Sequence, residues 1–145
     1  MKLRLNKRSG FTLIEIMLVV AIIALLVGTV IVNIGPQRKK AYITQAQNQI
    51  SAYKMALQSY SLDNGNYPTT EQGLQALIAP PNSEPVPRNW HGPYLDPAVI
   101  KPDPWGMAYQ YVCPPQQNPD PDGFDLYSMG PDRRANTDDD AVSWR

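Results

Sequence analysis

Ser9-Gly10-Phe11-Thr12-Leu13-Ile14-Glu15-Ile16-Met17-Leu18-Val19-Val20 is the stretch that decides the fold. It sets a small-residue step ahead of an apolar run and a single carboxylate inside that run. Between residues 11 and 37 the only ionisable side chain is Glu15, and residues 16–37 are mostly Ile, Leu, Val and Ala. A helix needs about 20 such residues to cross a bilayer, so the run predicts a membrane-crossing segment. A secretory signal has a shorter apolar region of about 7–15 residues, with the small-residue cleavage site after it rather than before. The expectation is a permanent N-terminal anchor with the rest of the chain on one side of the membrane. A carboxylate in hydrocarbon costs about 2.5 kcal/mol or more, so Glu15 needs a partner. Phe11 lies four residues before it, one helical turn away. If the chain were cut after Gly10, the new α-amine of Phe11 would be that partner, in the same chain or in a neighbour. An acid in the first turn also suits the helix dipole.

Outward from this stretch the charges are segregated. The 145 residues carry 13 Lys+Arg and 13 Asp+Glu, a net charge of zero. That balance argues against a basic nucleic-acid binder, and the length argues for one domain. Yet residues 1–10 hold Lys2, Arg4, Lys7 and Arg8 with no acid, a net of +4, and the remainder is −4. Arg38, Lys39 and Lys40 follow the apolar run, so basic residues flank both ends and their count does not orient the segment. Over residues 38–63 the pattern turns amphipathic. Tyr42, Ala46, Ile50, Tyr53, Leu57 and Tyr60 fall on one helical face, with Gln45, Gln49, Lys54 and Ser59 opposite. Asn64-Gly65 is the expected stop. If residues 12–62 form one helix, it is roughly 76 Å long, with Gly35-Pro36 as a weak point. Such a rod is too long for one small domain, so its first half must be buried in lipid or in other copies of itself.

The C-terminal half is rich in proline, with 13 of the 15 prolines at or beyond residue 80. Thr69-Thr70-Glu71-Gln72 fits a capping box opening a short helix through Leu74, Leu77 and Ile78. Residues 80–104 read as a long ordered loop. Residues 108–113 and 124–128 alternate like short strands, and a third includes Val142 and Trp144. The fold class is therefore α+β, a small antiparallel sheet laid across a helical stem. The lone Cys113 forbids an intramolecular disulfide and reads as a small buried hydrophobe in a strand. His91, Trp90, Trp105 and Trp144 read as structural anchors. No phosphate loop, dinucleotide fingerprint or nucleophile motif appears, so the expectation is a non-enzymatic protein. Asn118-x-Asp120-x-Asp122-Gly123 begins like an EF-hand loop, but Met129 stands where the twelfth-position Glu belongs and Pro119 and Pro121 interrupt it. It reads as a turn. Asp132, Asp138, Asp139 and Asp140 are crowded enough to repel, and a cation would relieve them. All-oxygen ligands suit Ca²⁺, and the absence of His and Cys argues against Zn²⁺. Composition alone leaves a solvated acidic loop as the alternative.

Residues 8–17, Arg8-Ser9-Gly10-Phe11-Thr12-Leu13-Ile14-Glu15-Ile16-Met17, resemble the leader-cleavage motif of type IV pilins and pseudopilins. The run from Leu62 to Leu77, Asp103-Pro104-Trp105-Gly106, and the stretch from Phe124 to Asp132 resemble the major pseudopilins of type II secretion systems. The resemblance implies a pilin-like fold with a calcium-binding C-terminal loop. It implies a leader (1–10) removed by prepilin peptidase between Gly10 and Phe11, then N-methylation of Phe11. It implies a transmembrane and assembly half-helix (11–34), in which Glu15 pairs with the N-terminal amine of an adjacent subunit, and a periplasmic domain (35–145). The implied calcium ligands are Asp132, Thr137, Asp139, Asp140 and the Met129 carbonyl. Where that family often has Gly after the first Asp, this chain has Arg133-Arg134. The implied function is a structural subunit anchored in the bacterial inner membrane. It polymerises into a periplasmic homopolymer, with minor pseudopilins and an inner-membrane secretion platform, to export folded proteins. A type IV pilin for adhesion or motility is the alternative, though such pilins commonly close a loop with a Cys pair. A membrane-tethered Ca²⁺-dependent binding module is a third.

Overall fold

The computed structural model of the chain describes residues 10–144; residues 1–9 and 145, and the side chains of residues 28–36, lie outside the described set. The expected leader falls outside it except for Gly10. The chain divides into two compact units, Met1–Lys39 and Lys40–Arg145. Its one long helix is α1 (Leu13–Asn64).

In the first unit, α1 starts on a cap that was legible as a Thr-x-x-Glu pattern. Thr12 Oγ1 accepts the Glu15 backbone N–H at 3.3 Å, satisfying one of the amides that a helix start leaves without a partner. Every described side chain from residue 13 to 27 is exposed. An unburied apolar surface of that extent marks a membrane or protein contact. Among the described residues no helix is long and apolar enough to cross a membrane. The expected span of 11–34 runs beyond Val27 into residues whose side chains lie outside the described set.

In the second unit the helical stripe folds as its spacing predicts. Ala46, Ile50, Tyr53, Leu57 and Tyr60 are buried, each large side chain contributing about 2 kcal/mol by leaving water. Tyr42, the expected first member, stays exposed and sets its ring edge-on to Trp105 at 6.1 Å. Gly65, at φ 84, ends the helix, its N–H donating to Ser61 O at 2.8 Å.

The capping box forms reciprocally. The Gln72 N–H donates to Thr69 Oγ1 at 3.2 Å and Gln72 Oε1 accepts the Thr69 N–H at 3.1 Å. What it opens is a turn and a short 3-10 helix, Leu74–Leu77, rather than a regular helix. Gln72 is buried, and its Nε2 donates to Ser83 O (2.9 Å) and Pro85 O (3.1 Å). One side chain thus fixes both the box and the start of the Pro-rich loop. That loop is tied down again where Trp90 Nε1–H donates to Ala76 O and where the Tyr94 N–H donates to Leu77 O.

Strands β1 (Gln110–Val112), β2 (Asp125–Ser128) and β3 (Ala141–Val142) form one antiparallel sheet in that order. Tyr111 pairs with Leu126 and Tyr127 with Val142. Tyr109, Tyr111, Phe124, Leu126 and Ala141 join the helical stripe in one core. Two side chains of α1 reach the outer strand: Gln47 Nε2 donates to Val142 O (3.1 Å) and Lys54 Nζ to Ser143 O (3.4 Å). At the other side, the Cys113 N–H donates to Thr70 Oγ1 and the Thr70 N–H donates to Cys113 O. Cys113 lies just past β1 rather than in it and is half-buried. Burial pushes its thiol pKa up, which disfavours the reactive thiolate.

Candidate metal centre and assembly segment

Loop 129–140 joins β2 to β3 and carries the expected acidic residues. Asp132, Asp139 and Asp140 each place a carboxylate oxygen so that all three lie within 4.8 Å of one another. Two oxygens on one Ca²⁺, each at about 2.3–2.6 Å, can be no farther apart than about 5 Å. The trio therefore fits a single coordination shell. Thr137 Oγ1 sits 2.8 Å from Asp139 Oδ1 and 3.0 Å from Asp140 Oδ1, adding a fourth oxygen. Asp138, the remaining acid of the cluster, is exposed and stands outside the trio.

The loop is wound by its own side chains. Asp132 Oδ1 accepts the Arg134 N–H at 2.9 Å, and Asp140 Oδ2 accepts the Asn136 N–H at 2.7 Å. Three residues take left-handed conformations: Gly130 (φ 64), Arg133 (φ 58) and Asn136 (φ 67). Asn tolerates that region. Gly130 is required on two counts, because a Cβ there would also meet Asp139 O at 2.6 Å. Met129, the implied carbonyl ligand, immediately precedes this contact. Arg133 and Arg134 are exposed.

Arg133 occupies a conformation that costs a side-chain-bearing residue about 1–2 kcal/mol. Arg133→Gly removes that strain but frees the unfolded chain by about 0.4–1 kcal/mol. The expected result is a net gain of roughly 0.5–1 kcal/mol, read as a melting temperature a few degrees higher. An unchanged or lower value in a thermal melt would count against strain at this turn.

Two buried carboxylates escaped the sequence analysis as functional groups. Asp103 accepts the Trp105 and Met107 N–H groups on Oδ1 at 3.0 and 2.7 Å. Asp125 accepts the Gln116, Gln117 and Asn118 N–H groups at 2.6, 2.8 and 2.8 Å. The signal for Asp103 was present, since Asp followed by Pro is a turn-opening pair. The EF-hand-like stretch folds as turns: Asn118 Oδ1 accepts the Asp120 N–H and Asp120 Oδ1 accepts the Asp122 N–H. His91 is exposed, its Nδ1 3.8 Å from Asp63 Oδ2. In the first unit Gly10, Phe11 and Glu15 are all exposed, Glu15 in the first turn of α1.

Comparison with known proteins joins these two regions in one family. The model described as type II secretion system (T2SS), protein G matches residues 33–144. The prokaryotic N-terminal methylation motif matches residues 5–31. A type II secretion system core protein G from Pseudomonas aeruginosa is 43% identical over 138 residues, 94% of this chain and 93% of that protein. One from Aeromonas hydrophila is 42% identical over 142 residues, 96% of this chain and 94% of that protein. The crystal structure of the major pseudopilin from the type 2 secretion system of enterohaemorrhagic Escherichia coli superposes with a TM-score of 0.66. It shares 38% identity and covers 77% of this chain and 94% of that one. With an α+β pilin-like fold and matches on both sides of residue 33, the chain belongs to the protein G family of type II secretion systems.

Proposed function

We propose that this chain is the structural subunit of a type II secretion pseudopilus, polymerising from the inner membrane to drive export of folded proteins across the outer membrane. The observation that carries this is the likeness to core protein G over nearly the whole length, at 43% identity. The methylation-motif match supports processing at the Gly10–Phe11 bond by prepilin peptidase, followed by N-methylation of Phe11. Residues 11–34 would then store each subunit in the inner membrane, single-pass, with residues 35–145 in the periplasm. During growth the same apolar surface passes from lipid to neighbouring subunits, and Glu15 pairs with the amine of an adjacent Phe11. Minor pseudopilins and the inner-membrane secretion platform are the further partners. The chain's work in this scheme is packing and polymerisation, and no catalytic role is assigned.

The oxygen set of loop 129–140 supports a Ca²⁺ site held by Asp132, Asp139 and Asp140, with Thr137 and the Met129 carbonyl. The ion supplies charge neutralisation and a cross-link between loop segments that a single cysteine cannot make. Asp132 and Asp140 meanwhile hold backbone amides, so part of the loop's shape is set by the chain itself.

The test is complementation. A secretion-competent bacterium deleted for its own core protein G, supplied with this chain, is expected to recover export of folded enzymes into the medium. Stable, processed protein with no recovered export would sink the assignment.

A further inference from the structure

The acidic loop is seated on a buried relay that begins outside it. Asp103 is 4% exposed, and two backbone amides occupy its Oδ1. Its Oδ2 accepts the Ser128 hydroxyl at 2.6 Å, a short bond of the charge-assisted kind. Ser128 is fully buried at the end of β2, and its Oγ accepts the Gly130 N–H at 3.2 Å. Gly130 lies directly against the Asp139 backbone. The segment before Asp103 is fixed to α1, because the Tyr53 hydroxyl accepts the Lys101 N–H at 2.8 Å and donates to Lys101 O at 3.1 Å. Asp125 offers the contrast. It is as deeply buried, yet its three amide partners all belong to the β1–β2 loop, and it closes that loop only.

We infer that Asp103, acting through Ser128, is a positioning residue for the cation site. It holds the turn at Met129 and Gly130 where Asp139 closes on it, and so sets the affinity of a site it does not touch. This rests on the calcium reading of loop 129–140. Partners one step removed from metal ligands typically change affinity by about 10–100-fold when lost.

The test uses the full chain in detergent with Ca²⁺ as the probe, followed by titration calorimetry and by thermal melts in calcium and in chelator. Asp103→Asn and Ser128→Ala are expected to bind Ca²⁺ at least about tenfold more weakly and to show a smaller calcium-dependent rise in melting temperature. Asp125→Asn is expected to melt lower in both conditions and to keep wild-type affinity. In chelator, amide exchange at Gly130 is expected to quicken in Ser128→Ala and not in Asp125→Asn. Affinities for Asp103→Asn and Ser128→Ala within twofold of wild type would overturn the inference, leaving Asp103 purely structural. If wild type itself takes up no Ca²⁺, the calcium reading falls and the inference with it, an outcome visible without any variant. Should Asp103→Asn fail to fold, Ser128→Ala decides the matter, since it deletes one hydroxyl.

Discussion

Glu15→Ala is expected to abolish filament assembly while leaving cleavage at Gly10–Phe11 intact. The two outcomes separate because they use different atoms. The helix start rests on Thr12 accepting the Glu15 backbone N–H, which Ala retains, so the segment offered to the peptidase keeps its shape. The carboxylate itself has no such substitute. In an apolar filament core it would neutralise an N-terminal amine, and deleting one member of a buried ion pair costs about 3–5 kcal/mol. At about 1.4 kcal/mol per tenfold, that raises the concentration needed for polymerisation by roughly two to three orders of magnitude. Electron microscopy of sheared filaments reads assembly, and gel mobility or mass reads cleavage. Filaments of normal number and length from Glu15→Ala would refute the docking role. Glu15→Gln is expected to match Ala, because it keeps the size of the side chain and loses the charge.

Removing calcium is expected to have the second-largest effect. A ligand that binds only the folded state stabilises it by about 2.7 kcal/mol at one hundred times its dissociation constant. For a unit the size of Lys40–Arg145, each kcal/mol moves the melting temperature by about 4–8 °C. Excess chelator should therefore lower it by more than about 10 °C. Asp139→Asn should melt near the chelator value whether or not calcium is present, because the trio then lacks one charge. Identical melting in calcium and chelator for the wild type would rule out the site. Magnesium is the control cation: it demands near-octahedral geometry and sheds water reluctantly, so it should restore little of the loss.

Legibility in the sequence followed the range of the physics involved. The stripe from Ala46 to Tyr60 was readable because a helix repeats its own geometry, so spacing alone selects the buried face. Gly65 was readable because a left-handed residue after a helix favours one amino acid. The three strands were found within a residue or two, since alternation over four residues leaves few registers. Tyr42 broke the pattern because the stripe says which way a residue faces, and not how far the covering chain extends. Thr69 and Gln72 formed their box, yet the following turns tightened to a 3-10 helix, because Gln72 was also claimed by Ser83 and Pro85. The acidic trio was nominated by local charge density together with a family likeness. Asp103 and Asp125 were missed because their partners are loop amides, whose convergence depends on where irregular backbone happens to turn.

The clasp of Gln47 and Lys54 on β3 has a consequence for how such subunits coexist. Proteins kept side by side in a membrane reach local concentrations at which exposed strands find one another and zip into fibres. Here an incoming strand would have to displace two side chains of the subunit's own helix before reaching the Val142 and Ser143 carbonyls. Crowding therefore favours growth through the apolar helices, and the sheet stays out of the contest.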